Sequence, residues 1–526
     1  MFTNKKTLLA MSVASVFALS GCSSDDDKNE VVPDPVDPPV VVVPPEAPAE
    51  LGAVVNANIV DNASFDVVPS TVMFYENGVA STSLVDENGN AVTSVTTEDG
   101  NFSFLLKDGA DIDSVTAVVM ADGYVQKTFS IDLAELSEGD VEVVLPLLSE
   151  ESDGVAVEEA SSNVSGGSSA DAITGGVANG KATAAVTVPG GTLLQDANGD
   201  LITGDSVTLK VTAADTSSEA GAAVTPEGLN AGSTTTLSTP VGVASVEMVD
   251  SNGTKVKKFS QPITVSMAIP ADKGVSTGDM LTLVSQNEDT GVWTTETQQV
   301  EVKDLIADGS FYNASFETDH LTFYAATVSS SACTDNSVTI NFSETLPAGL
   351  HVIIASDSFN LVRARLLTED SDSYTFSNAR VAEGEGATFY VVNSATGFEW
   401  SSVRVEDVCA NDANATITPE EVTFVNSTVT LQGTCDNSED VVVGTGANVR
   451  YSVGNKPSKK ATSNGDGTYS LSNLIEGQNY EVKVTYSGTL SSLNAGADFQ
   501  KYDLAAGEDE TFGGEISCPT TTGSGS

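Results

Sequence analysis

Apolar and polar residues alternate with a period of two, and turn signals break the alternation at short intervals; this pattern most constrains the fold of the chain. Phe102, Phe104 and Leu106, for example, alternate directly behind the turn at 98–101. Such runs predict half-buried strands joined by tight turns. Because no long amphipathic helix pattern accompanies them, we expect an all-β fold. At 526 residues, the chain has room for roughly three to five domains, each with its own core.

The first folded segment, 51–148, contains an Asp-Gly-x-Phe-x-Phe run at 99–104 and an Ala-x-Gly-Tyr turn at 121–124. This order resembles the carboxypeptidase regulatory-like, or transthyretin-like, β-sandwich. The segment 413–519 repeats it, with Tyr469 and Leu471 alternating behind a Gly-rich turn, and 329–412 is similar to a divergent third copy. The resemblance implies modules that act as spacers or interaction surfaces, arranged as a string.

A different strand succession fills 181–328, from the run 186–193 to the final His320-Leu321-Thr322-Phe323-Tyr324. It resembles the ZU5 domain and the related GAIN-type sandwiches. The segment before it, 149–180, is rich in Gly, Ser and acidic residues, which predicts a linker. The chain is therefore expected to hold about four β-sandwiches.

The sequence contains five cysteines, none of them in a C-x-x-C pair that would suggest zinc or redox chemistry. Four lie far from the N-terminus and allow three pairings. We predict disulfides Cys333 with Cys409 and Cys435 with Cys518, because each pair then brackets one strand-rich segment of domain size.

The fifth cysteine, Cys22, follows a basic start and a short apolar run, which is typical of a signal peptide over 1–21. The sequence Leu19-Ser20-Gly21-Cys22 resembles a bacterial lipobox, in which Cys22 becomes the acylated N-terminus. A cleavable leader with an incidental cysteine is the alternative. The family's sorting rule reads Ser23 as a signal for the outer membrane; whether the protein faces outward or toward the periplasm stays open.

The mature chain would begin with an acidic, Pro-rich stretch, predicted to be a disordered tether over 22–50; residues 520–526 form a short tail. The formal net charge of the whole chain is −52, and without Lys5 and Lys6 of the leader 20 basic residues face 74 acidic ones. A field of this sign repels nucleic acid and anionic lipid headgroups. Membrane attachment is therefore expected through the N-terminal lipid alone.

Intramolecular cleavage is the one chemistry for which the sequence offers a candidate. In GAIN-type domains an H-L-T tripeptide is a self-cleavage site. The resemblance implies that His320 would take the hydroxyl proton of Thr322, which would attack the Leu321 carbonyl. The alternative interpretation is that these residues only close the sandwich.

Other catalytic and metal sites find little support. His351 is the only other histidine and heads an apolar strand, so a structural role is expected. No phosphate-binding loop motif occurs. The acidic run at 196–200 resembles a calcium loop, but Leu201 and Val207 stand where such a loop needs Gly and Glu, so a hairpin turn is predicted. We expect no cofactor, with calcium as the weaker alternative.

These observations predict a lipid-anchored, non-enzymatic protein of the cell envelope that acts as a structural, adhesion or interaction scaffold with protein or polysaccharide partners. A self-cleaving surface protein is the second hypothesis and a glycan-binding accessory lipoprotein the third. The third needs exposed aromatic residues, yet aromatic residues make up only 6% of the chain and Trp293 and Trp400 both lie in strand-like patterns.

Overall fold

A computed structural model describes residues 40–137, 139–233, 235–306, 308–333, 337–356, 362–367, 369–377 and 381–522. Almost all regular structure in these ranges is β-strand, with one short helix, α1 (Glu219–Ala223), and two 3₁₀ turns (Ala134–Ser137 and Gly488–Asn494). The predicted all-β, multi-sandwich fold is confirmed. No helix in these ranges has the length and apolar character needed to cross a bilayer. The predicted signal peptide, the lipidation site Cys22 and the tether up to residue 39 lie outside the described residues.

The first sandwich closes over a core of phenylalanine rings, in which Phe74 packs edge-on against Phe104 at 5.4 Å between ring centroids. Its first strand, Val54–Asp61, is parallel to its last, Val141–Leu147, and both belong to one sheet. Gly100 makes the predicted turn possible, because it has a φ of +68° and a Cβ there would lie 2.8 Å from the Ile59 carbonyl oxygen. Including the first strand of the chain, the elements are β1 (Val40–Val42), β2 (Val54–Asp61), β3 (Ser70–Glu76), β4 (Val79–Ala80), β5 (Leu84–Val85), β6 (Ser94–Thr97), β7 (Asn101–Leu106), β8 (Ser114–Met120), β9 (Lys127–Asp132) and β10 (Val141–Leu147).

The second sandwich is one antiparallel sheet of eleven strands in the order β11-β15-β16-β21-β18-β19-β20-β17-β13-β12, with β14 paired to β17. The sheet encloses a single large apolar cluster. Its strands are β11 (Val155–Asn163), β12 (Ile173–Asn179), β13 (Ala182–Val188), β14 (Leu194–Gln195), β15 (Ser206–Ala214), β16 (Thr236–Asp250), β17 (Lys258–Pro270), β18 (Met280–Asn287), β19 (Val292–Leu305), β20 (Phe311–His320) and β21 (Phe323–Ser331).

The predicted linker over 149–180 is wrong, because β11 and β12 lie within it. β11 forms nine residue pairs with β15, from Val155 opposite Ala214 to Asn163 opposite Ser206. Two of the glycines that suggested a linker, Gly175 and Gly176, lie in β12 and allow close packing. A Cβ at Gly175 would lie 2.7 Å from a methyl carbon of Leu209, so only glycine fits there without a shift of the leucine.

The third sandwich shares a sheet with the first. Its strands are β22 (Ser337–Leu346), β23 (His351–Ser356), β24 (Val362–Leu366), β25 (Ser371–Ser377), β26 (Ala387–Asn393), β27 (Phe398–Val405) and β28 (Ala413–Ala415). β24 pairs with β10 of the first sandwich, Val144 opposite Ala364. The result is one eight-stranded sheet in the order β27-β26-β23-β24-β10-β2-β7-β5. His351 is 2% exposed at the start of β23, and it fills the structural position expected from the sequence.

The last sandwich consists of β29 (Phe424–Cys435), β30 (Val441–Val443), β31 (Ala447–Ser452), β32 (Lys459–Lys460), β33 (Thr462–Ser463), β34 (Thr468–Ile475), β35 (Asn479–Tyr486), β36 (Gln500–Ala505) and β37 (Glu510–Ile516). Both predicted disulfides are confirmed: Cys435–Cys518 in this sandwich and Cys333–Cys409 in the third, each with a Cα–Cα distance of 5.4 Å. Each covalent bond therefore closes one sandwich on itself.

Part of the predicted tether and tail is folded. Residues Pro44–Cys518 form one compact unit. β1 belongs to a second unit, together with β38 (Thr520–Thr522). These two strands are antiparallel, with Val41 opposite Thr521. Within the larger unit, Pro48 is buried and the Thr489 hydroxyl donates a 2.8 Å hydrogen bond to the Glu46 carbonyl. The prediction of disorder to residue 50 is thus wrong for 40–50, because backbone groups there bond to the last strand and the last sandwich.

Candidate functional site

The His320-Leu321-Thr322 tripeptide lies where β20 ends and β21 begins. Leu321 is buried in the core of the second sandwich. Its N–H donates to the Lys257 carbonyl at 3.2 Å, and the Thr322 carbonyl accepts from the Val246 N–H at 3.2 Å. The backbone on both sides of the Leu321–Thr322 bond is therefore tied into the sheet.

The side chains of the tripeptide point to different partners. Nδ1 of His320 lies 3.2 Å from the Thr318 hydroxyl, and Nε2 lies 3.4 Å from Glu296 Oε1. The Thr322 hydroxyl instead donates to the Gln286 carbonyl. Among the described residues, no hydrogen bond joins the His320 ring to that hydroxyl. This geometry lacks the contact between base and nucleophile that self-cleavage uses, so it favours the alternative interpretation that these residues close the sandwich, and cleavage remains an untested hypothesis.

Tyr324 completes this strand end. Its hydroxyl donates a 2.5 Å hydrogen bond to the His320 carbonyl and lies 3.0 Å from the Thr318 hydroxyl. Burial raises the pKa of Tyr324 far above its ordinary value, so the phenol stays protonated and keeps its donor. The Tyr324 hydroxyl therefore holds the end of β20 against β21, which is a structural role in closing the sandwich.

A buried polar interface joins the first and last sandwiches through Asn58 of β2, Asn101 of β7 and Ser458. Asn58 Oδ1 accepts from the Ser458 N–H at 2.8 Å, and Asn58 Nδ2 donates to the Ser458 carbonyl at 3.0 Å. The Ser458 hydroxyl reaches Asn101 Oδ1 at 2.5 Å. All three side chains are buried. Because unsatisfied polar groups are costly in a buried interface, these reciprocal bonds fix one relative placement of the two sandwiches.

An ion pair lies in the same interface. Lys483 Nζ of β35 lies 2.5 Å from Asp99 Oδ2 in the first sandwich, and the Lys483 side chain is only 4% exposed. Burial alone would raise the pKa of Asp99, but the hydrogen bond and charge of Lys483 outweigh it and lower that pKa to about 2. The Thr97 hydroxyl donates to the other carboxylate oxygen at 2.8 Å. The charged form of Asp99 is therefore strongly favoured.

The first and second sandwiches also meet through buried polar contacts. Lys127 Nζ of β9 donates to the Ala223 carbonyl at 2.8 Å, and the Thr128 hydroxyl lies 3.2 Å from Gln286 Oε1. Burial lowers the pKa of Lys127 to about 8, partly opposed by the charge of Glu227. The first sandwich thus contacts all three others, which a string of modules touching only their sequence neighbours would not do.

The interface between the first and last sandwiches was not predicted from the sequence. Asn56 and Asn58 interrupt the apolar run of β2, and alternate polar positions normally mark the solvent face of a strand. Both are at most 2% exposed because the last sandwich covers that face. The signal was present in the sequence, but the partner lies 400 residues away along the chain.

No metal centre is formed by the described residues, in which no group of three or more His, Cys, Asp or Glu side chains is placed to hold an ion. The acidic run at 196–200 is a tight turn: Asp196 Oδ1 accepts the N–H groups of Asn198 and Asp200, both at 2.9 Å. The hairpin prediction fits this geometry.

Comparison with known proteins gives no family. No protein family description matches the chain, and no curated protein matches it. Among solved structures, the minor pilin of Streptococcus agalactiae is 12% identical, covering 36% of this chain and 99% of its own, with a TM-score of 0.17. The major pilin subunit BcpA of Bacillus cereus is 10% identical, covering 89% of this chain and 99% of its own, with a TM-score of 0.14. Likenesses at this level carry no argument about function.

Proposed function

We propose that this protein is a lipid-anchored, non-enzymatic scaffold of the bacterial cell envelope, in which four sandwiches act as one body that presents an adhesion or assembly surface. The observation that supports it best is the buried contact of Asn58 and Asn101 with Ser458. When buried hydrogen bonds join the sandwiches, the surface loops of different sandwiches keep fixed positions relative to one another, which suits a structural or binding role.

Three further features agree with this proposal. Two disulfides stabilise the third and last sandwiches, as is common in exported proteins. The formal charge of −52 favours solubility. The residues offered by the sequence for self-cleavage, His320 and Thr322, are engaged with other partners.

The anchor is tested by comparing the wild-type protein with Cys22→Ala in the native bacterium, grown with labelled palmitate. We expect the wild type to carry label and sediment with outer membranes, and the variant to be unlabelled and soluble after cell lysis. Protease treatment of intact cells then separates an outward from a periplasmic orientation. An unlabelled wild type, or a Cys22→Ala chain that still sediments with membranes, would contradict lipid anchoring.

A further inference from the structure

A cleft of about 590 Å³ opens where the first, third and last sandwiches meet. This junction cleft lies within the Pro44–Cys518 unit, and its volume is that of an ordinary small-molecule site. Each of the three sandwiches contributes to its wall; the residues that matter below are Asp140, Glu142, Gly349, Tyr451, Lys459 and Lys460.

Lys459 is the unusual member of this wall. Three lysines are buried in the part of the chain that the structure describes, and two of them have partners: Lys127 bonds the Ala223 carbonyl and Lys483 pairs with Asp99. Lys459 is 8% exposed, yet no hydrogen bond or ion pair joins its Nζ to any described residue. The side chain is therefore mostly buried while its ammonium, at the wall of a cavity, has no hydrogen-bond partner from the described protein residues, which points to an anionic ligand.

The surroundings of Lys459 leave its ammonium accessible. A Cβ at Gly349 would lie only 2.9 Å from Lys459 Nζ, so the absence of a side chain at Gly349 keeps space beside the amine. The neighbouring Lys460 is already neutralised, because its Nζ lies 2.5 Å from Asp140 Oδ2. Of the two lysines in the wall of the cleft, Lys459 is thus the one without an ion pair to a described residue.

Glu142 supplies a second polar group. Its Oε1 accepts the Lys460 N–H at 3.1 Å. Burial raises the pKa of Glu142 to about 8, with the Lys460 N–H acting in the opposite direction. Burial also lowers the pKa of Lys459 to about 8, and the charge of Glu142 acts in the opposite direction.

We infer that the junction cleft binds a small anion, a molecule bearing a carboxylate or a phosphate, with the Lys459 ammonium as its counter-ion. The site is additional to the proposed scaffold role and does not depend on the lipid anchor. Carboxylate and phosphate share the same acceptor chemistry here, so the experiment must separate them.

The test measures binding of two probes, glucuronate and inorganic phosphate, to the mature protein at pH 7 by titration calorimetry and by thermal shift, with glucose as the uncharged comparison. We expect one anion to bind and glucose not to bind. Lys459→Met should weaken that binding at least about tenfold, the usual contribution of a charged hydrogen bond. Lys303→Met is the matched control: it removes the same charge from an exposed site, where Nζ bonds the Ser315 hydroxyl at 2.6 Å.

Each result decides the matter. Binding of glucuronate alone identifies a carboxylate site, and binding of phosphate alone a phosphate site. If neither probe binds, or if Lys459→Met binds as the wild type does, the inference is overturned. Should Lys459→Met fail to fold, Lys459→Gln, which keeps a polar head without the charge, replaces it in the same comparison.

Discussion

Asp99→Asn should measurably loosen the contact between the first and last sandwiches. The substitution keeps the shape of the side chain but removes the charge that faces Lys483 at 2.5 Å. Lys483, with a side chain 4% exposed, would then keep Glu481 at 3.5 Å and the face of the Phe499 ring, whose centroid lies 5.6 Å from Nζ. The wild-type pKa of Asp99 falls from 3.8 to about 2. A shift of nearly two pKa units corresponds to about 2 kcal/mol of folding free energy, after allowance for the partly solvated carboxylate.

The sign of the pH dependence follows from the lowered pKa. The contribution of Asp99 is complete above its unfolded pKa near 4 and is lost as the pH falls through about 2. Urea unfolding followed by circular dichroism should therefore show Asp99→Asn less stable by about 2 kcal/mol at pH 7, with the difference shrinking toward pH 2. Asp122→Asn, at an exposed turn, is the matched control and should change little. Equal stability of Asp99→Asn and wild type at pH 7 would refute the importance of this pair.

Three other predictions concern separate parts of the molecule. Lys459→Met should raise the free energy of unfolding at pH 7 by up to about 3 kcal/mol, because burial lowers the pKa of Lys459 in the wild type from 10.5 to about 8. This gain in stability should vanish above about pH 10.5, and urea titrations at both pH values check it. Replacing Cys435 and Cys518 together by Ala should cost about 2 to 4 kcal/mol in the same assay, since the bond closes a loop across 83 residues; an unchanged midpoint would contradict this. On a denaturing gel the mature wild-type chain should run as one band, because the Thr322 hydroxyl is committed to the Gln286 carbonyl; two fragments meeting between Leu321 and Thr322 would show that the site cleaves.

Local patterns in the sequence predicted local structure well. The alternation of Phe102 and Phe104 behind Gly100 became β7, because strand period and turn conformation depend on a few adjacent residues. The disulfides followed from the rule that each pair brackets one domain. The linker prediction failed at Gly175 for a tertiary reason: glycine, which often marks a loop, is there to let β12 pack closely on Leu209.

Relations between sandwiches could not be predicted in this way. The pairing of Val144 with Ala364, and the contact of Asn58 with Ser458, join residues that belong to separate strand patterns. Period-two alternation tells which face of β2 is polar but not that another domain covers it. The junction cleft and the solitary Lys459 were invisible for the same reason, because three sandwiches create them together.

The central claim, that the sandwiches form one body, is tested most directly by hydrogen–deuterium exchange in Ser458→Lys. This substitution places a charged side chain in the buried contact with Asn58 and Asn101. We expect faster exchange in β2 of the first sandwich, 400 residues away in sequence, whereas Ser491→Lys, at an exposed position of the last sandwich, should leave exchange in β2 unchanged. If exchange in β2 stays at the wild-type rate while the last sandwich around Ser458 is perturbed, the modules are independent and the claim is wrong.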